Sequence, residues 1–497
     1  MWAFRTLRWG AVAILAVPAG FLLGVALVTS TRPDPTPPLT VLPGREFTAA
    51  DAAQRVPDLD AYVRLEDRLF ESLRKRLVRP AARPEEVIYD RYVAGSPSDP
   101  FRFPQNWNRT RAEVPPESRG AVLLLHGLSD SPYSLRATGE LYVRHGFAAV
   151  WLRLPGHGTA PSALRRVRWE DWLAAARIAA GRVAELAGDG PFHVVGYSNG
   201  ATIALALTLE RLTTGEGRVP DRVVLLSPAV AIPEAARITR WVRLIDWIGP
   251  LRGTAWQEIE PEVDPYKYGS FPFNATYECW RGTRAVRRLL ENADRTGRLA
   301  SMPPVAAFVS VVDATVTAPA LQRDLMDRLP PGMNELVLFD VNRLAGTVRL
   351  LSSAARDRAG WRLDPSGAPY TLTLVTNRAS DTREVVERVR GRNGRVTIHE
   401  TGMAWPQGVY SLSHVAVPFP PDDPIYGDGT APDSDRLLPL GSLRLKGETR
   451  QLQLPTSLLN RLRYNPFFPV IARRVEGTLP SQLSRESRGD TPLIESR

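Results

Sequence analysis

A serine between two glycines is the first residue of this chain whose surroundings suggest chemistry. Ser198 lies in Gly196-Tyr197-Ser198-Asn199-Gly200, after an apolar run at residues 192–195 and before helix formers at residues 201–209. This order predicts a strand, a sharp turn and a helix, a setting that exposes a serine hydroxyl above a sheet. The two glycines lack a Cβ atom, so strand and helix can cross closely. Asn199 would begin the helix, where its backbone N–H is unpaired and faces the site.

A serine at neutral pH becomes a nucleophile only with a base in hydrogen-bond reach and a third group that orients the base. The chain has 6 histidines. Enzymes with this type of serine turn carry their residues in the order serine, acid, histidine, which leaves His399 and His414. His414 follows Ser411-Leu412-Ser413 in a loop-like context, whereas His399 ends the strand-like Val396-Thr397-Ile398. We favour His414 as the base and keep His399 as the alternative.

The orienting acid should end a strand between the serine and the histidine. Asp313 closes the apolar run Val309-Ser310-Val311-Val312, and Asp340 closes Leu336-Val337-Leu338-Phe339. Asp313 is followed by a short polar stretch and a helical pattern, which favours it. Asp340 remains a competitor for the same role.

Apolar runs alternate with helical patterns from residue 121 onward. We predict strands at residues 121–125, 147–152, 192–195, 222–226 and 305–312, with helices between them. This alternation predicts a parallel sheet that is covered by helices on both faces. Ligands collect at the carboxyl ends of the strands in such sheets. The residues predicted to share that rim are His126, Pro155, Ser198, Ser227 and Asp313.

The composition excludes several classes of protein. With 43% hydrophobic and 23% charged residues, the chain has the composition of a folded protein. The net charge of +10 comes mainly from scattered arginines without a nucleic-acid-binding motif, so we predict no nucleic-acid partner. The only cysteine, Cys279, excludes an intramolecular disulfide and a cysteine-based zinc site. We predict neither a metal nor another cofactor, and no feature predicts the oligomeric state.

The N-terminal region predicts a membrane anchor. Residues 9–29 are uncharged and apolar, which is long enough to cross a bilayer as a helix. Arg5 and Arg8 precede this segment, so the N-terminus should be cytoplasmic and the catalytic part extracytoplasmic. A cleaved signal peptide is the alternative, but its apolar region is usually only about 7–15 residues long. Either interpretation exports the rest of the chain.

Five motifs together resemble one known superfamily. They are His126-Gly127-Leu128, Pro155-Gly156-His157-Gly158, Gly196-Tyr197-Ser198-Asn199-Gly200, Asp313-Ala314-Thr315-Val316 and the loop at His414. The chain resembles the α/β hydrolases, and within them the branch of monoacylglycerol lipases, lysophospholipases and carboxylesterases. The resemblance implies an α/β-hydrolase fold and hydrolysis of a lipid or small-molecule ester through an acyl-enzyme. It also implies an oxyanion hole built from the backbone N–H groups of Leu128 and Asn199. His126 and His157 would then shape their turns.

The segment between two of the predicted strands breaks the alternation and suggests a cap. Residues 231–303 contain many aromatic side chains. An insertion at this place would lie over the strand ends as a lid with an apolar underside, which suits an acyl chain. We predict that Trp256, Phe271 and Phe273 bind substrate.

The sequence patterns together predict how the whole chain divides into parts. The predicted parts are a cytoplasmic N-terminus (1–8), an anchor (9–29), a Pro-rich linker (30–47), a helical extension (48–100), the two parts of the hydrolase core (101–230 and 304–430), the cap (231–303) and a C-terminal extension (431–497). The second core part contains an insertion at about residues 331–400, with a strand pattern at 371–376 and a helix pattern at 381–390. A thioesterase, an acyltransferase or a non-catalytic tethered binding protein are the alternative functions.

Overall fold

The computed structural model describes residues 36–80, 89–230, 255–313, 317–344, 368–430, 440 and 460–480. The apolar segment 9–29 lies outside these residues. Within the described part, no helix combines the length and the apolar character needed to cross a bilayer.

The described chain contains fourteen strands. They are β1 (Arg111–Glu113), β2 (Ala121–Leu125), β3 (Ala148–Leu152), β4 (Phe192–Tyr197), β5 (Arg222–Leu226), β6 (Trp256–Glu258), β7 (Phe271–Pro272), β8 (Val305–Ser310), β9 (Glu335–Phe339), β10 (Thr371–Asn377), β11 (Glu384–Arg390), β12 (Val396–Ala404), β13 (Val409–Leu412) and β14 (Asn460–Leu462). The α-helices of the described residues are α1 (Pro37–Thr40), α2 (Ala49–Gln54), α3 (Leu59–Arg76), α4 (Arg136–Arg144), α5 (Trp169–Ala187), α6 (Asn199–Thr214), α7 (Phe273–Arg295), α8 (Ala318–Asp324) and α9 (Phe468–Glu476).

Ten of these strands form one sheet in the order β1-β3-β2-β4-β5-β8-β9-β10-β11-β12. All neighbours from β3 to β10 pair in parallel, while β1, β11 and β12 pair antiparallel. The mostly parallel sheet is therefore confirmed. Because parallel strands end at the same edge, the loops after β2, β4, β5 and β8 meet at one rim.

Helices cover both faces of the sheet. Strands β2, β3, β4 and β8 are buried along their whole length, as expected for parallel strands between two helical layers. Helices α5, α6 and α7 share one apolar core with one face of the sheet, and α4 and α9 share a second core with the other face. Helix α9 packs directly against α4, so part of the predicted C-terminal extension belongs to the covering layer.

Helix α7 places part of the predicted cap in the covering layer as well. Its side chains Ala275, Val286, Leu290 and Ala293 belong to the main apolar core, and it packs along α6 and α5. The short ribbon of β6 and β7 precedes it. Residues 231–254 of the predicted cap lie outside the described residues, so the extent of a lid stays a prediction.

The insertion at about residues 331–400 extends the sheet. The strand pattern at 371–376 is confirmed by β10, but the helix predicted at residues 381–390 is wrong, because β11 occupies that region. Val385 and Val386 are buried, and β11 pairs on both sides, with β10 and β12. Pairing on two sides and burial of β-branched side chains outweigh the local helix preference. The strand β12 then ends the sheet with exposed residues Val396 and Ile398.

The packed part of the domain begins closer to the N-terminus than the sequence predicts. The predicted linker 30–47 is packed in its described part, because Leu39 and Phe47 are buried and Ser162 Oγ donates to Val41 O at 2.7 Å. The helical extension splits into α2 and α3 at Pro57, which cannot continue a helix. Asp58 caps α3 by accepting from Ala61 N–H.

A buried ion cluster fixes this N-terminal region to the sheet. Arg153, fully buried after β3, pairs with Glu46 and Glu66 at 3.0 Å each. Tyr62 Oη donates to Arg153 O at 2.8 Å. Burial raises the pKa of Glu66, and the charge of Arg153 opposes that rise. Because removing one partner of a buried pair costs about 3–5 kcal/mol, residues 46–66 are an integral part of the domain.

The buried histidine His193 on β4 predicts a pH-dependent loss of stability. It packs between the rings of Tyr142 and Phe147, and burial lowers its pKa to about 4. A histidine with a depressed native pKa stabilises the fold fully above pH ~6.5 and loses that contribution as the pH falls towards 4. From pH 7 to pH 5, wild type should therefore lose ~2 kcal/mol more free energy of unfolding than His193→Gln. Urea unfolding at both pH values measures this difference.

A control for this experiment is His399→Gln, since His399 is exposed on β12. That variant should show the pH dependence of wild type. Equal pH dependence in His193→Gln and wild type would contradict the prediction.

Candidate active site

Ser198 occupies a strained turn between β4 and α6. Its backbone has φ 52° and ψ −115°, a region that non-glycine residues rarely adopt. The surrounding backbone holds it there: Ser198 N–H donates to Leu226 O at 2.9 Å, and Ser198 O accepts from the N–H groups of Ala201 and Ala229 at 3.1 Å. A strained backbone of this kind persists where surrounding contacts hold it in place, as they do at many functional sites.

Two residues after Ser198, the sequence needs a glycine, Gly200, because two backbone segments cross closely there. A Cβ atom on Gly200 would lie 1.9 Å from Leu125 O, the carbonyl at the end of β2. No side chain can be accommodated at that distance. Helix α6 can therefore begin directly beside the end of β2, which brings Ser198 next to the loop that carries Leu128.

Three side chains from distant parts of the chain meet at this turn. His414 Nε2 lies 3.0 Å from Ser198 Oγ, and His414 Nδ1 lies 2.6 Å from Asp313 Oδ2. The Asp313 side chain is fully buried, whereas His414 is 13% exposed. Because Nδ1–H donates to the carboxylate, Nε2 is left as an acceptor for the serine hydroxyl. This geometry is that of a nucleophile, a base and an orienting group.

The loop of His414 is held by three separate segments. His414 follows β13, which pairs with β14 near the C-terminus. Ser413 Oγ donates to Leu462 O at 2.9 Å, and Asn342 Nδ2 donates to Val409 O at 2.9 Å. The ring of Tyr197 lies 5.8 Å from the His414 ring. The histidine therefore reaches Ser198 even though 101 residues separate it from Asp313.

The structure does not bring the two alternative residues to Ser198. His399 is exposed on β12, where its Nε2 contacts Thr397 Oγ1 at 2.9 Å. Asp340 is buried and accepts from Thr376 Oγ1 at 2.6 Å, from Val341 N–H at 2.8 Å and from Arg343. Burial raises the pKa of Asp340, and its hydrogen bonds oppose this effect. Both residues have contacts of their own, remote from the serine.

The loop after β2 carries Leu128, whose backbone N–H is one of the two predicted oxyanion donors. Gly127 O accepts from His126 Nδ1 at 2.8 Å and from Asp130 N–H at 3.3 Å. In a trans peptide the N–H points opposite to the carbonyl, so these bonds direct Leu128 N–H away from His126. Asn199 is the first residue of α6, where backbone N–H groups lack intrahelical partners. The role of these two N–H groups as an oxyanion hole stays a prediction.

Two further histidines of the motifs serve as neutral structural links. Leu154 N–H donates to His126 Nε2 at 3.0 Å, so the ring proton of His126 must lie on Nδ1. The ring centroids of His157 and His126 lie 4.9 Å apart. Burial lowers the pKa of His126 well below its usual value and that of His157 to about 3. Neutral rings of this kind link the loops after β2 and β3.

Two of the three aromatic residues predicted to bind substrate lie beside the N-terminal segment. Trp256 is buried against Leu39. Phe273 lines a cavity of about 240 Å³ with Leu42 and other residues of that region. Phe271 is half-buried against the main core. None of these contacts involves Ser198.

Sequence reasoning missed two charged residues at the site. Asp130 and Lys267 form an ion pair at 2.9 Å beside the loop of Leu128. They lie 137 residues apart, and no local pattern links such positions. Among the described residues, no group of three or more His, Cys, Asp or Glu side chains is arranged to hold a metal ion.

Comparison with known proteins finds relatives for the part of the chain that carries Ser198. Residues 116–340 match the family model described as "Serine aminopeptidase, S33". A thermostable monoacylglycerol lipase of Bacillus sp. (strain H-257) is 33% identical over 110 residues, which cover 22% of this chain and 43% of that protein. Lipase LipV of Mycobacterium tuberculosis is 26% identical over 277 residues, which cover 50% of this chain and 96% of that protein.

Solved structures with a similar fold include two lipolytic enzymes. The metagenome-derived enzymes LipS and LipT are represented by a structure with 19% identity and a TM-score of 0.38, covering 47% of this chain and 88% of that one. Paleococcus ferrophilus monoacylglycerol lipase has 18% identity and a TM-score of 0.34, covering 46% of this chain and 87% of that one. The family-model match and the two sequence relatives, together with the strand–turn–helix at Ser198, support a similarity to the α/β hydrolases, in the branch of monoacylglycerol lipases and esterases.

Proposed function

We propose that this protein is a serine hydrolase that cleaves carboxylic esters through an acyl-enzyme. The observation that carries the proposal is the pair of hydrogen bonds through His414, at 3.0 Å to Ser198 and 2.6 Å to Asp313. A non-catalytic binding protein has no need of a buried carboxylate aligned with a histidine and a strained serine. Such arrangements activate a serine as a nucleophile.

The chemistry follows from this geometry. Ser198 Oγ attacks the ester carbonyl carbon while His414 Nε2 accepts the hydroxyl proton. Asp313 holds the imidazole in the tautomer with the proton on Nδ1 and stabilises the imidazolium that forms. The N–H groups of Leu128 and Asn199 bind the oxyanion of the tetrahedral intermediate. His414 then protonates the leaving alcohol, and a water molecule, activated by the same histidine, hydrolyses the acyl-enzyme.

A buried apolar cluster packs against Leu128 and is compatible with an acyl chain as the substrate group. The Leu128 side chain packs with Ala229 and Cys279, and Ala229 N–H donates to Ser198 O. Burial raises the pKa of the Cys279 thiol to about 12, so it stays neutral and contributes only apolar contact. Together with the lipase names of the two sequence relatives, this apolar cluster favours acylglycerols or lysophospholipids. A thioesterase or an acyltransferase would use the same groups.

Replacement of each proposed catalytic group should abolish activity without unfolding the protein. Ser198→Ala and His414→Ala should both reduce kcat for p-nitrophenyl esters to the background rate, since members of a triad act as a unit. Asp313→Asn should lower kcat by about 10⁴. Labelling with a fluorophosphonate probe should disappear in Ser198→Ala, and circular dichroism should show that the fold persists.

Two matched variants test the assignment of these roles. His399→Ala should retain the wild-type kcat. Asp340→Asn should lower the melting temperature, since it weakens buried contacts, but retain kcat in the folded fraction. An inactive His399→Ala or a fully active Ser198→Ala would contradict the proposal. Faster hydrolysis of aminoacyl p-nitroanilides than of esters would instead favour an aminopeptidase.

We further propose that Trp256, Phe271 and Phe273 influence acyl preference, although their described contacts are with the N-terminal segment and the main core. Each buried methylene of a substrate contributes about 0.8 kcal/mol, so four more methylenes favour a long ester by more than about a hundredfold. In kcat/KM measurements from acetate to decanoate esters, the alanine variants should lose activity selectively on the long esters. A uniform loss at every chain length would show that these residues only support the fold.

We also propose that residues 9–29 anchor the protein with its catalytic part on the extracytoplasmic side. The support is the uncharged apolar segment preceded by Arg5 and Arg8. Alkaline phosphatase fused after residue 45 should be active, because it folds only outside the cytoplasm, whereas green fluorescent protein at the same place should be dark after Sec-dependent export. The reverse pattern would refute this orientation.

A further inference from the structure

We propose that Asp130 and Lys267 are positioning residues that hold the loop after β2 in the geometry needed to bind the oxyanion. We call residues 127–130 the oxyanion turn. The proposal rests on the serine-hydrolase function proposed above, because it assigns to these residues the alignment of Leu128 N–H.

The oxyanion turn adopts a conformation that it does not prefer on its own. Asp130 N–H donates to Gly127 O at 3.3 Å and closes a four-residue turn. Ser129, the third residue of the turn, has φ 63°, although this position with positive φ favours glycine or asparagine. Leu128 is the second residue, and its N–H takes no part in the closing hydrogen bond of such a turn. External contacts are therefore needed to keep Leu128 N–H aligned.

Two consecutive residues of another segment supply these contacts. Tyr268 N–H donates to Ser129 O at 2.9 Å, and Lys267 Nζ lies 2.9 Å from Asp130 Oδ1. The other carboxylate oxygen of Asp130 packs on Gly127, where a Cβ atom would lie 2.9 Å from it. The carboxylate of Asp130 thus connects Lys267 directly to the peptide that carries Leu128 N–H.

The ion pair is more than a surface contact. The Asp130 side chain is 7% exposed and that of Lys267 is 24% exposed. Burial raises the pKa of Asp130, and Lys267 opposes this rise. Without Lys267, the buried Asp130 carboxylate would have to be hydrated, be protonated or move. Each of these outcomes would disturb the oxyanion turn.

The segment of Lys267 is itself fixed to the region that follows His414. Asp264 accepts from Lys267 N–H at 3.0 Å and from Tyr426 Oη at 2.7 Å. Tyr266 stacks on Tyr133, just after the oxyanion turn, with ring centroids 4.5 Å apart. One segment thus connects the turn that carries an oxyanion donor to the part of the chain after the proposed base.

A misaligned donor lowers the rate of the chemical step more than it lowers substrate binding. The oxyanion exists only in the transition state and the tetrahedral intermediate, so a donor aimed at it contributes to kcat and little to KM. Loss of one donor costs about 10²–10³ in kcat. We expect Lys267→Met, which keeps the chain length and removes the charge, to lower kcat by about 10–100-fold, with KM changed less than twofold.

The experiment measures kcat, KM and the inhibition constant of phenylboronic acid for the purified full-length protein. A boronic acid forms a tetrahedral adduct on the serine and reports the oxyanion hole directly. Lys267→Met and Asp130→Asn should weaken boronic acid binding in step with kcat. Lys267→Arg should restore most of the activity. The double variant should be no worse than the poorer single variant, since the two residues act as one unit.

Matched controls separate this role from a loss of stability. Arg177→Met removes an exposed ion pair with Glu210 on α5 and α6 and should leave kcat unchanged. An unchanged kcat in Lys267→Met, or a loss that Lys267→Arg does not restore, would overturn the proposal, and so would a loss that follows the unfolded fraction in thermal melts. A wild-type protein that fails to react with fluorophosphonate would refute the hydrolase function itself, which is a distinguishable result.

Discussion

The crossing of α6 over the ends of β2 and β4 is the constraint on which the site depends. Gly200 lies so close to Leu125 O that no side chain fits there. This contact forces Ser198 into a strained turn and brings the N-terminus of α6 beside the loop of Leu128. The position of the proposed nucleophile and of the proposed donor at Asn199 thus depends on one packing contact between backbones. The sheet supplies the rigidity that keeps the strained serine in place.

The proposed base, His414, reaches this crossing from a distant part of the chain. Ser198 and His414 are 216 residues apart, and His414 begins a single turn of 3-10 helix directly after β13. Its position depends on Asn342 after β9 and on the backbone of β14 near the C-terminus. A long insertion between β9 and β13 is tolerated because it adds β10, β11 and β12 to the outer side of the sheet. The path from Asp313 to His414 is long, but its two ends are fixed independently.

For some residues of the site, the neighbouring sequence predicts the secondary structure in which they lie. Ser198 lies between β4 and α6 as the sequence predicts, and Asp313 lies three residues after the end of β8, while the roles of both stay predictions. His414 could be chosen over His399 by its loop-like context, even though the family match ends at residue 340.

The misses have a common physical origin. The sequence of β11 has a helical pattern, and only pairing with β10 and β12 makes it a strand. The contact of Asp130 with Lys267 joins loops that no periodicity relates. Likewise, residues 36–47 have a linker-like composition, yet Glu46 is required to pair with the buried Arg153. In each case a contact between distant parts of the chain outweighs the local pattern.

If residues 9–29 anchor the chain as proposed, the packed N-terminal segment limits the length of the tether. Since residues 36–47 lie on the domain, only residues 30–35 remain between it and the proposed anchor at 9–29. Six extended residues span at most about 20 Å, which is shorter than a domain of this size. A domain on so short a tether would stay at the membrane surface, where its lipid substrate would arrive by lateral diffusion in the bilayer. Its working substrate concentration would then be a surface density in the membrane, independent of the aqueous solubility of the lipid.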